Sequence, residues 1–265
     1  MDIIVSIKQV PETGDVKMDE ETGTIVREGA ESIINPLDLY AIETAIQLKE
    51  EYGGSITAVT MGPPAAEKAL REAVAMGCDE GVLASGKEFA GSDTWATSRA
   101  LSATIAEIGD YDLIFAGERA TDGDTGQVGP GIASFLDLTL ATYVSDVKDV
   151  DDNGIVVDRL LEDGYETLKL PFPAVLTVVK EISFPRLPTL RGKQKAKRID
   201  IPNYGAEKIG IDADELGLDG SPTQVVNIDH PKVTRDGHII EPETAEEIDD
   251  AIKELGDYLQ DNELI

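Results

Sequence analysis

Residues 112–136 read DLIFAGERATDGDTGQVGPGIASFL, and this stretch decides the fold. An apolar run ends near Ala116, a polar loop rich in glycine follows, and helical spacing resumes near Gly126 or Gln127. The positions predicted to face inward on this helix are Val128, Ile132, Phe135 and Leu136. The stretch therefore predicts a buried strand whose carboxyl end meets the amino end of a helix across one loop.

The same alternation of apolar runs and helical patterns covers the first two-thirds of the chain. Predicted strands span residues 3–7, 56–60, 82–84, 113–116 and 174–179. Asn35 with Pro36 is a predicted N-cap and first turn, Gly77 ends a second helix, and Ser92 or Asp93 caps a third. Continuous apolar runs suit strands that are buried on both faces. The predicted fold class is α/β, with a doubly wound parallel sheet.

The glycine-rich loop of the opening stretch is predicted to hold a phosphate. Unpaired N–H groups and the dipole at the start of a helix favour an anion, and the Thr125 hydroxyl adds a donor. Asp122 and Asp124 would repel a phosphate that they faced, so we interpret them as capping loop amides or accepting from ribose hydroxyls. A tight Gly/Asp turn without a ligand is the alternative. The loop matches neither the Walker pattern nor the G-x-G-x-x-G pattern.

The chain changes character after about residue 185. Residues 186–198 contain six of the 23 basic residues and no acid, and residues 199–240 show little periodicity. The predicted last helix has one apolar face, formed by Ala245, Ile248, Ile252, Leu255 and Leu259. The predicted organisation is a domain at 1–185, a basic partner-recognition loop at 186–198 and a C-terminal arm at 199–265. The basic run is either a solvated linker or a docking loop that inserts Leu187 or Leu190 into a partner.

Composition narrows the class of function. With 52 acidic and 23 basic residues the net charge is −29, which disfavours nucleic acid as a partner and is typical of a halophilic acidic surface. The sequence shows no secretory pattern and no membrane-spanning run, so a cytoplasmic protein without direct membrane insertion is expected. Cys78, His230 and His238 offer little material for a metal site or a nucleophilic set, so neither a metal nor a catalytic residue is predicted.

Six stretches in order carry a resemblance to a known family. They are residues 7–11 (IKQVP), 35–38 (NPLD), 73–77 (AVAMG), the loop at 117–130, residues 162–164 leading to 173–175, and residues 185–198. With these stretches the chain is similar to the electron transfer flavoprotein beta (small) subunit family over nearly its whole length. The resemblance implies an adenine-nucleotide-binding, Rossmann-like domain whose C-terminal arm packs on an alpha subunit that carries FAD.

The resemblance also implies the residues of the nucleotide site and of the docking loop. The cofactor-binding residues are Ser6, Lys8, Asn35, Asp38, Met61, Gly62, Gly117, Arg119, Thr121, Asp122, Gly123, Asp124, Thr125, Gly126, Gln127 and Val128. Leu190 takes the anchoring position of the docking loop, and Arg191, Lys195 and Arg198 belong to its basic part. The implied partners are the alpha subunit, flavin dehydrogenases and a quinone oxidoreductase.

One departure from the family pattern concerns the occupant of the nucleotide site. The AMP-binding branch usually has Thr at the position of Val128, whereas the loop here is close to the form of the Fix-type and bifurcating branches. Gly126 replaces the usual Ala of that form. The resemblance therefore favours FAD, with AMP as the alternative occupant.

The expected function is that of an electron carrier subunit and not of an enzyme in its own right. It would pass electrons from flavin dehydrogenases toward a quinone oxidoreductase, and NADH oxidation would be added if the chain bifurcates electrons. Two alternatives stay open: a non-redox nucleotide-binding regulatory domain that acts as a homodimer, and a hydrolase that uses the loop carboxylates.

Overall fold

The computed structural model describes residues 1–12, 32–226, 238–262 and 264. Two compact units are present, Met1–Val226 and Asn227–Ile265. The first unit continues past residue 185, where the sequence changes character, because a late strand joins its sheet. His230 lies outside the described residues.

The elements are numbered in chain order. The described strands are β1 (Asp2–Ser6), β2 (Gln9–Pro11), β3 (Ser32–Ile34), β4 (Ser55–Met61), β5 (Glu80–Ala84), β6 (Leu113–Gly117), β7 (Thr139–Asp151), β8 (Gly154–Leu161), β9 (Gly164–Pro171), β10 (Ala174–Val178) and β11 (Asn203–Tyr204). The described helices are α1 (Asp38–Tyr52), α2 (Glu67–Met76), α3 (Thr94–Ile108), α4 (Val128–Leu136), α5 (Leu190–Ala196), α6 (Ala206–Ile209) and α7 (Ala245–Asp261).

Within the described residues of the first unit, one nine-stranded sheet runs in the order β11-β5-β4-β1-β6-β10-β7-β8-β9. The pairs from β11 across to β7 are parallel, and β7, β8 and β9 pair antiparallel. The chain leaves β1 for β4 and β5 on one side and then crosses to β6 on the other. The strand order therefore reverses between β1 and β6, where ligands of open α/β sheets bind beyond the carboxyl ends.

Both faces of the parallel strands are buried, which explains their continuous apolar runs. On β1, Ile3 and Val5 join the core cluster that includes α1 and α2. Ile4, between them, joins Ile105 of α3 and Ile132 of α4 in the opposite cluster. Helices thus cover the two faces of the sheet, and the predicted α/β, doubly wound fold is confirmed.

Two of the predicted helix ends are confirmed and two are corrected. Gly77 ends α2, and the Asp93 side chain caps α3 by accepting from the Trp95 and Ala96 amides. The predicted Asn35 cap is wrong, because α1 begins at Asp38 and no side chain caps it. Helix α4 begins at Val128, slightly later than predicted.

Two segments have more regular structure than the sequence predicts. The sheet extends through β7, β8 and β9. Exposed residues interrupt the apolar runs of these three strands. The basic segment predicted as a loop contains α5, capped by the Thr189 hydroxyl.

The described part of the second unit contains α7, which begins with a capping box between Thr244 and Glu247. Three apolar residues of its predicted inner face, Ile248, Ile252 and Leu255, are exposed. Across the described residues of both units, no helix combines the length and apolar character that crossing a membrane requires.

Candidate nucleotide site

Asp38, the first residue of α1, joins the ends of two adjacent strands. Its side chain is buried, at 5% exposure, and its Oδ2 accepts from the Lys8 amide at 2.7 Å. Its Oδ1 accepts from the Gly117 amide at 3.2 Å and from Asn35 Nδ2 at 3.0 Å. Lys8 follows β1 and Gly117 ends β6, so this carboxylate lies at the reversal of strand order.

Asn35 connects this carboxylate to the β6–α4 loop (residues 118–127). Its Nδ2 donates to the Arg119 carbonyl at 2.9 Å, and its Oδ1 accepts from the Thr121 amide at 3.1 Å. Asn35 is 1% exposed and uses both ends of its amide, so its orientation is determined. Its role is to position the loop, which replaces the predicted role as a helix cap.

The two loop carboxylates face cations of this same chain. Lys8 Nζ lies 2.6 Å from Asp122 Oδ1, and Arg119 Nη1 lies 3.0 Å from Asp124 Oδ1. These pairs are partly exposed and contribute little to stability. They do offset the negative charge that a phosphate would otherwise meet at the loop.

Backbone donors are available where the loop enters α4. The amides of Thr125, Gly126, Val128 and Gly129 have no hydrogen-bond acceptor within the described residues. The first intrahelical bond is donated by Gly131 to the Gln127 carbonyl at 2.9 Å. Free N–H groups at the positive end of a helix are the groups that anions bind, so the start of this nine-residue helix is a candidate phosphate site.

Close packing fixes the position of α4. A Cβ on Gly129 would lie 2.4 Å from Thr177 Cγ2 on β10, and one on Gly131 would lie 2.2 Å from Ser98 Oγ on α3. Glycine therefore lets the helix approach its neighbours on both sides. Thr177 was not among the predicted residues, because its proximity depends on β10 lying beside β6, which no local pattern reveals.

Burial changes the acidity of the buried carboxylate. Desolvation raises the pKa of Asp38 to about 7, while hydrogen bonds from Lys8, Asn35 and Gly117 act in the opposite direction. The side chain thus titrates well above the usual range for an aspartic acid.

Most of the predicted nucleotide-site residues lie near the carboxyl ends of the central parallel strands. Ser6 ends β1 beside β4 and β6, Met61 ends the neighbouring strand β4, and Gly62 follows it. Positions 121–125 are exposed, so the site is an open surface. Two surface cavities, of about 200 Å³ and 520 Å³, include none of the predicted residues, since they lie beside α1 and beside Trp95.

The predicted docking residues divide into two groups. Leu190, Arg191 and Arg198 are exposed. Lys195 is exposed as well, but its Nζ donates to the Cys78 carbonyl at 3.1 Å and lies 3.5 Å from Asp79 Oδ1. Lys195 therefore fastens α5 to the body of the first unit.

Comparison with known proteins agrees with this architecture. A family model described as the electron transfer flavoprotein domain matches residues 22–207. The electron transfer flavoprotein subunit beta of Thermoanaerobacterium thermosaccharolyticum is 44% identical over 256 residues, which cover 96% of this chain and 98% of the relative.

Two further relatives have names that point to specific systems. The caffeyl-CoA reductase-Etf complex subunit CarD of Acetobacterium woodii is 44% identical, with 94% of this chain and 95% of the relative covered. Protein FixA of Azotobacter vinelandii is also 44% identical, with 88% and 85% covered. The resemblance read from the six sequence stretches is thereby confirmed, and the chain belongs to the electron transfer flavoprotein family as a beta subunit, with a role in electron transfer.

Proposed function

We propose that this chain is the nucleotide-binding half of a cytoplasmic, two-subunit electron carrier. With an FAD-carrying alpha subunit it would take electrons from flavin dehydrogenases and deliver them toward a quinone oxidoreductase. The observation that carries the proposal is the set of free amides at the start of α4, located at the reversal of strand order.

The residues present fit the adenylate half of a dinucleotide. The amides of Thr125, Gly126, Val128 and Gly129 and the Thr125 hydroxyl would hold phosphate, with Lys8 and Arg119 supplying positive charge nearby. Residues at the ends of β1 and β4, including Ser6 and Gly62, would border the nucleoside. When bound, a flavin supplies one-electron and hydride chemistry to the complex.

The chain's own residues provide position and not proton transfer. Asp38 and Asn35 hold the loop against β1 and β6, so the donors at the start of α4 are oriented before a ligand arrives. Preorganised donors bind a charged ligand with little further ordering cost. The openness of the site supports a partner subunit that covers it.

We favour FAD over AMP as the occupant, and we extend the proposal to NADH-dependent bifurcation. Val128 offers no hydroxyl at the first turn of α4, which is the feature of the Fix-type loop. Relatives named FixA and CarD, the latter from a reductase–Etf complex, support this branch. We propose that Leu190, Arg191 and Arg198 contact the dehydrogenase, while the C-terminal arm at 199–265 packs on the alpha subunit.

The decisive experiment is to co-purify the chain with its alpha subunit and to quantify bound flavin and AMP after denaturation. Two FAD per heterodimer is the expected result. One FAD with one AMP would overturn the FAD assignment and the bifurcating extension. A flavin-free homodimer would instead favour the regulatory nucleotide-binding alternative.

A further inference from the structure

The docking segment (residues 184–198) exposes large apolar side chains on a fastened backbone. Phe184, Leu187 and Leu190 are 90%, 87% and 83% exposed. Such side chains on a flexible loop would lose conformational entropy on binding a partner, whereas a backbone that is already ordered avoids much of that cost. The contacts that order this backbone are therefore relevant to docking.

Arg186, between Phe184 and Leu187, is held by a buried carboxylate of α1. Glu43 is 3% exposed, and its Oε2 accepts from the Arg186 backbone amide at 3.1 Å and from Nε at 2.8 Å. Its Oε1 accepts from Arg186 Nη2 at 3.0 Å and from Gln47 Nε2 at 3.0 Å. One carboxylate thus holds both the side chain and the backbone of Arg186.

A second carboxylate completes the contact with the guanidinium. Glu50, further along α1 and exposed, accepts from Arg186 Nη1 at 2.6 Å and from Nη2 at 2.9 Å. The Arg186 contact lowers the pKa of Glu50 and the two glutamates raise the pKa of Arg186, so this guanidinium and the Glu50 carboxylate stay charged near neutral pH. Because Glu50 would still pair with Arg186, loss of Glu43 alone would not leave the guanidinium without a partner.

The far end of the docking segment is fastened independently. A Cβ on Gly192 would lie 2.1 Å from the Ala75 carbonyl, so α5 rests directly on α2. Arg71 of α2 donates to the Ala196 carbonyl and, at 3.2 Å, to that of Ile199. The backbone from Leu187 to Leu190 therefore lies between two attachment points, and Phe184 lies two residues before the first of them.

We propose that Glu43 is a positioning residue for partner docking. It holds the backbone at Arg186 so that Phe184, Leu187 and Leu190 form one prearranged apolar surface. The inference rests on the docking role proposed above. The cations left for the partner are Arg191, Lys193, Lys197 and Arg198, which are exposed and pair with no acid within the described residues. The surface fits a protein with an apolar pocket flanked by acidic groups.

Amide hydrogen exchange on the purified two-subunit complex tests the positioning role. In Glu43→Gln we expect exchange of residues 184–190 to accelerate about tenfold or more, while β1 and β6 exchange as in the wild type. The matched control is Glu51→Gln, the same change on an exposed residue of the same helix that does not contact Arg186. Unchanged exchange at 184–190 would overturn the proposal, and equal acceleration in β1 and β6 would reduce Glu43 to a general structural residue.

A conservative variant and trypsin cleavage provide the second readout. Arg186→Lys retains a cation that reaches Glu43, so its exchange at 184–190 should lie between those of the wild type and Glu43→Gln. In Glu43→Gln, cleavage after Arg186 should rise about tenfold relative to cleavage after Arg191, because the Arg186 backbone loses its anchor and the guanidinium keeps only its pairing with the exposed Glu50. An unchanged cleavage ratio would contradict the proposal. Neither readout depends on bound flavin, so the carrier proposal can fail while this one stands.

Discussion

At the scale of single residues, Asp38 couples folding to pH. Its folded pKa of about 7 lies above its ordinary value of 3.8, so the folded protein retains this proton over a range in which the unfolded chain releases it. The stabilising contribution is complete below the ordinary value and is lost as pH rises through about 7. A tenfold difference in proton affinity between the folded and unfolded states corresponds to about 1.4 kcal/mol, so this one carboxyl group can change stability measurably.

Urea unfolding of the wild type and Asp38→Asn at several pH values tests this coupling. Because the asparagine has no proton to lose, we expect any advantage of the wild type over the variant to shrink between about pH 5 and pH 8. Asp110→Asn, a change at an exposed residue in the loop after α3, controls for the general effect of removing one acid. A wild-type advantage that grows with pH would contradict the assignment.

Gly117 is the second residue on which the site depends. A Cβ there would lie 2.4 Å from Asp38 Oδ1 and 2.9 Å from the carbonyl carbon of Leu37. Gly117→Ala should therefore lower the free energy of unfolding by about 1–3 kcal/mol, as overpacking does, and reduce nucleotide retention. Gly256→Ala, where no atom lies within 4 Å of the new Cβ, should be neutral or stabilising in the same urea titration. Equal midpoints for the two variants would rule out the steric argument.

At the scale of elements, Asp93 connects the start of α3 to the end of the first unit. Its Oδ1 caps α3, and its Oδ2 accepts from the Thr223 amide at 2.9 Å and the Thr223 hydroxyl at 2.7 Å. Asp93→Ala should lose both functions and cost about 1–2 kcal/mol of stability.

Asp93→Asn separates the two functions. Its side-chain oxygen can still cap α3, while the amide nitrogen cannot accept from Thr223. We expect faster hydrogen exchange at residues 221–226 in both variants, and at the start of α3 in the alanine variant alone. Protection at 221–226 that survives in both variants would show that Asp93 does not hold this segment.

The same elements show which parts of the structure could be predicted from the sequence. The Asp93 cap and the Gly77 stop depend on contacts within four residues, and both are correct. Asn35 bonds to residues more than eighty positions away, so a local pattern suggested a helix cap instead. Strands β7, β8 and β9, at one side of the sheet, lack the continuous apolar runs from which the central strands were predicted.

The candidate site shows the same division. The glycine-rich loop and the helix start were predictable because a strand, a loop and a helix follow one another in the chain. The pairing of Lys8 with Asp122 and that of Lys195 with Asp79 depend on which strands and helices become neighbours. Charge type was therefore readable from the sequence, whereas the partner of each charge was not.

At the scale of the whole molecule, the excess of acids creates net repulsion. The chain carries 52 acidic and 23 basic residues, a net charge of −29. The ion pairs of the described residues are mostly exposed, and such pairs contribute about 0–1 kcal/mol each and weaken with salt. Repulsion summed over a large unpaired excess acts in the opposite direction, because screening relieves it.

We therefore expect the free energy of unfolding to increase with KCl. The Debye length falls from about 10 Å at 0.1 M to about 3 Å at 1 M salt, which screens most of the repulsion between separated carboxylates. Urea midpoints at these two concentrations measure the effect, and the gain should shrink near about pH 4.5, where many carboxylates carry a proton. Stability that falls with KCl at neutral pH would mean that ion pairs outweigh the repulsion, and a gain independent of pH would assign the effect to hydration and not to charge.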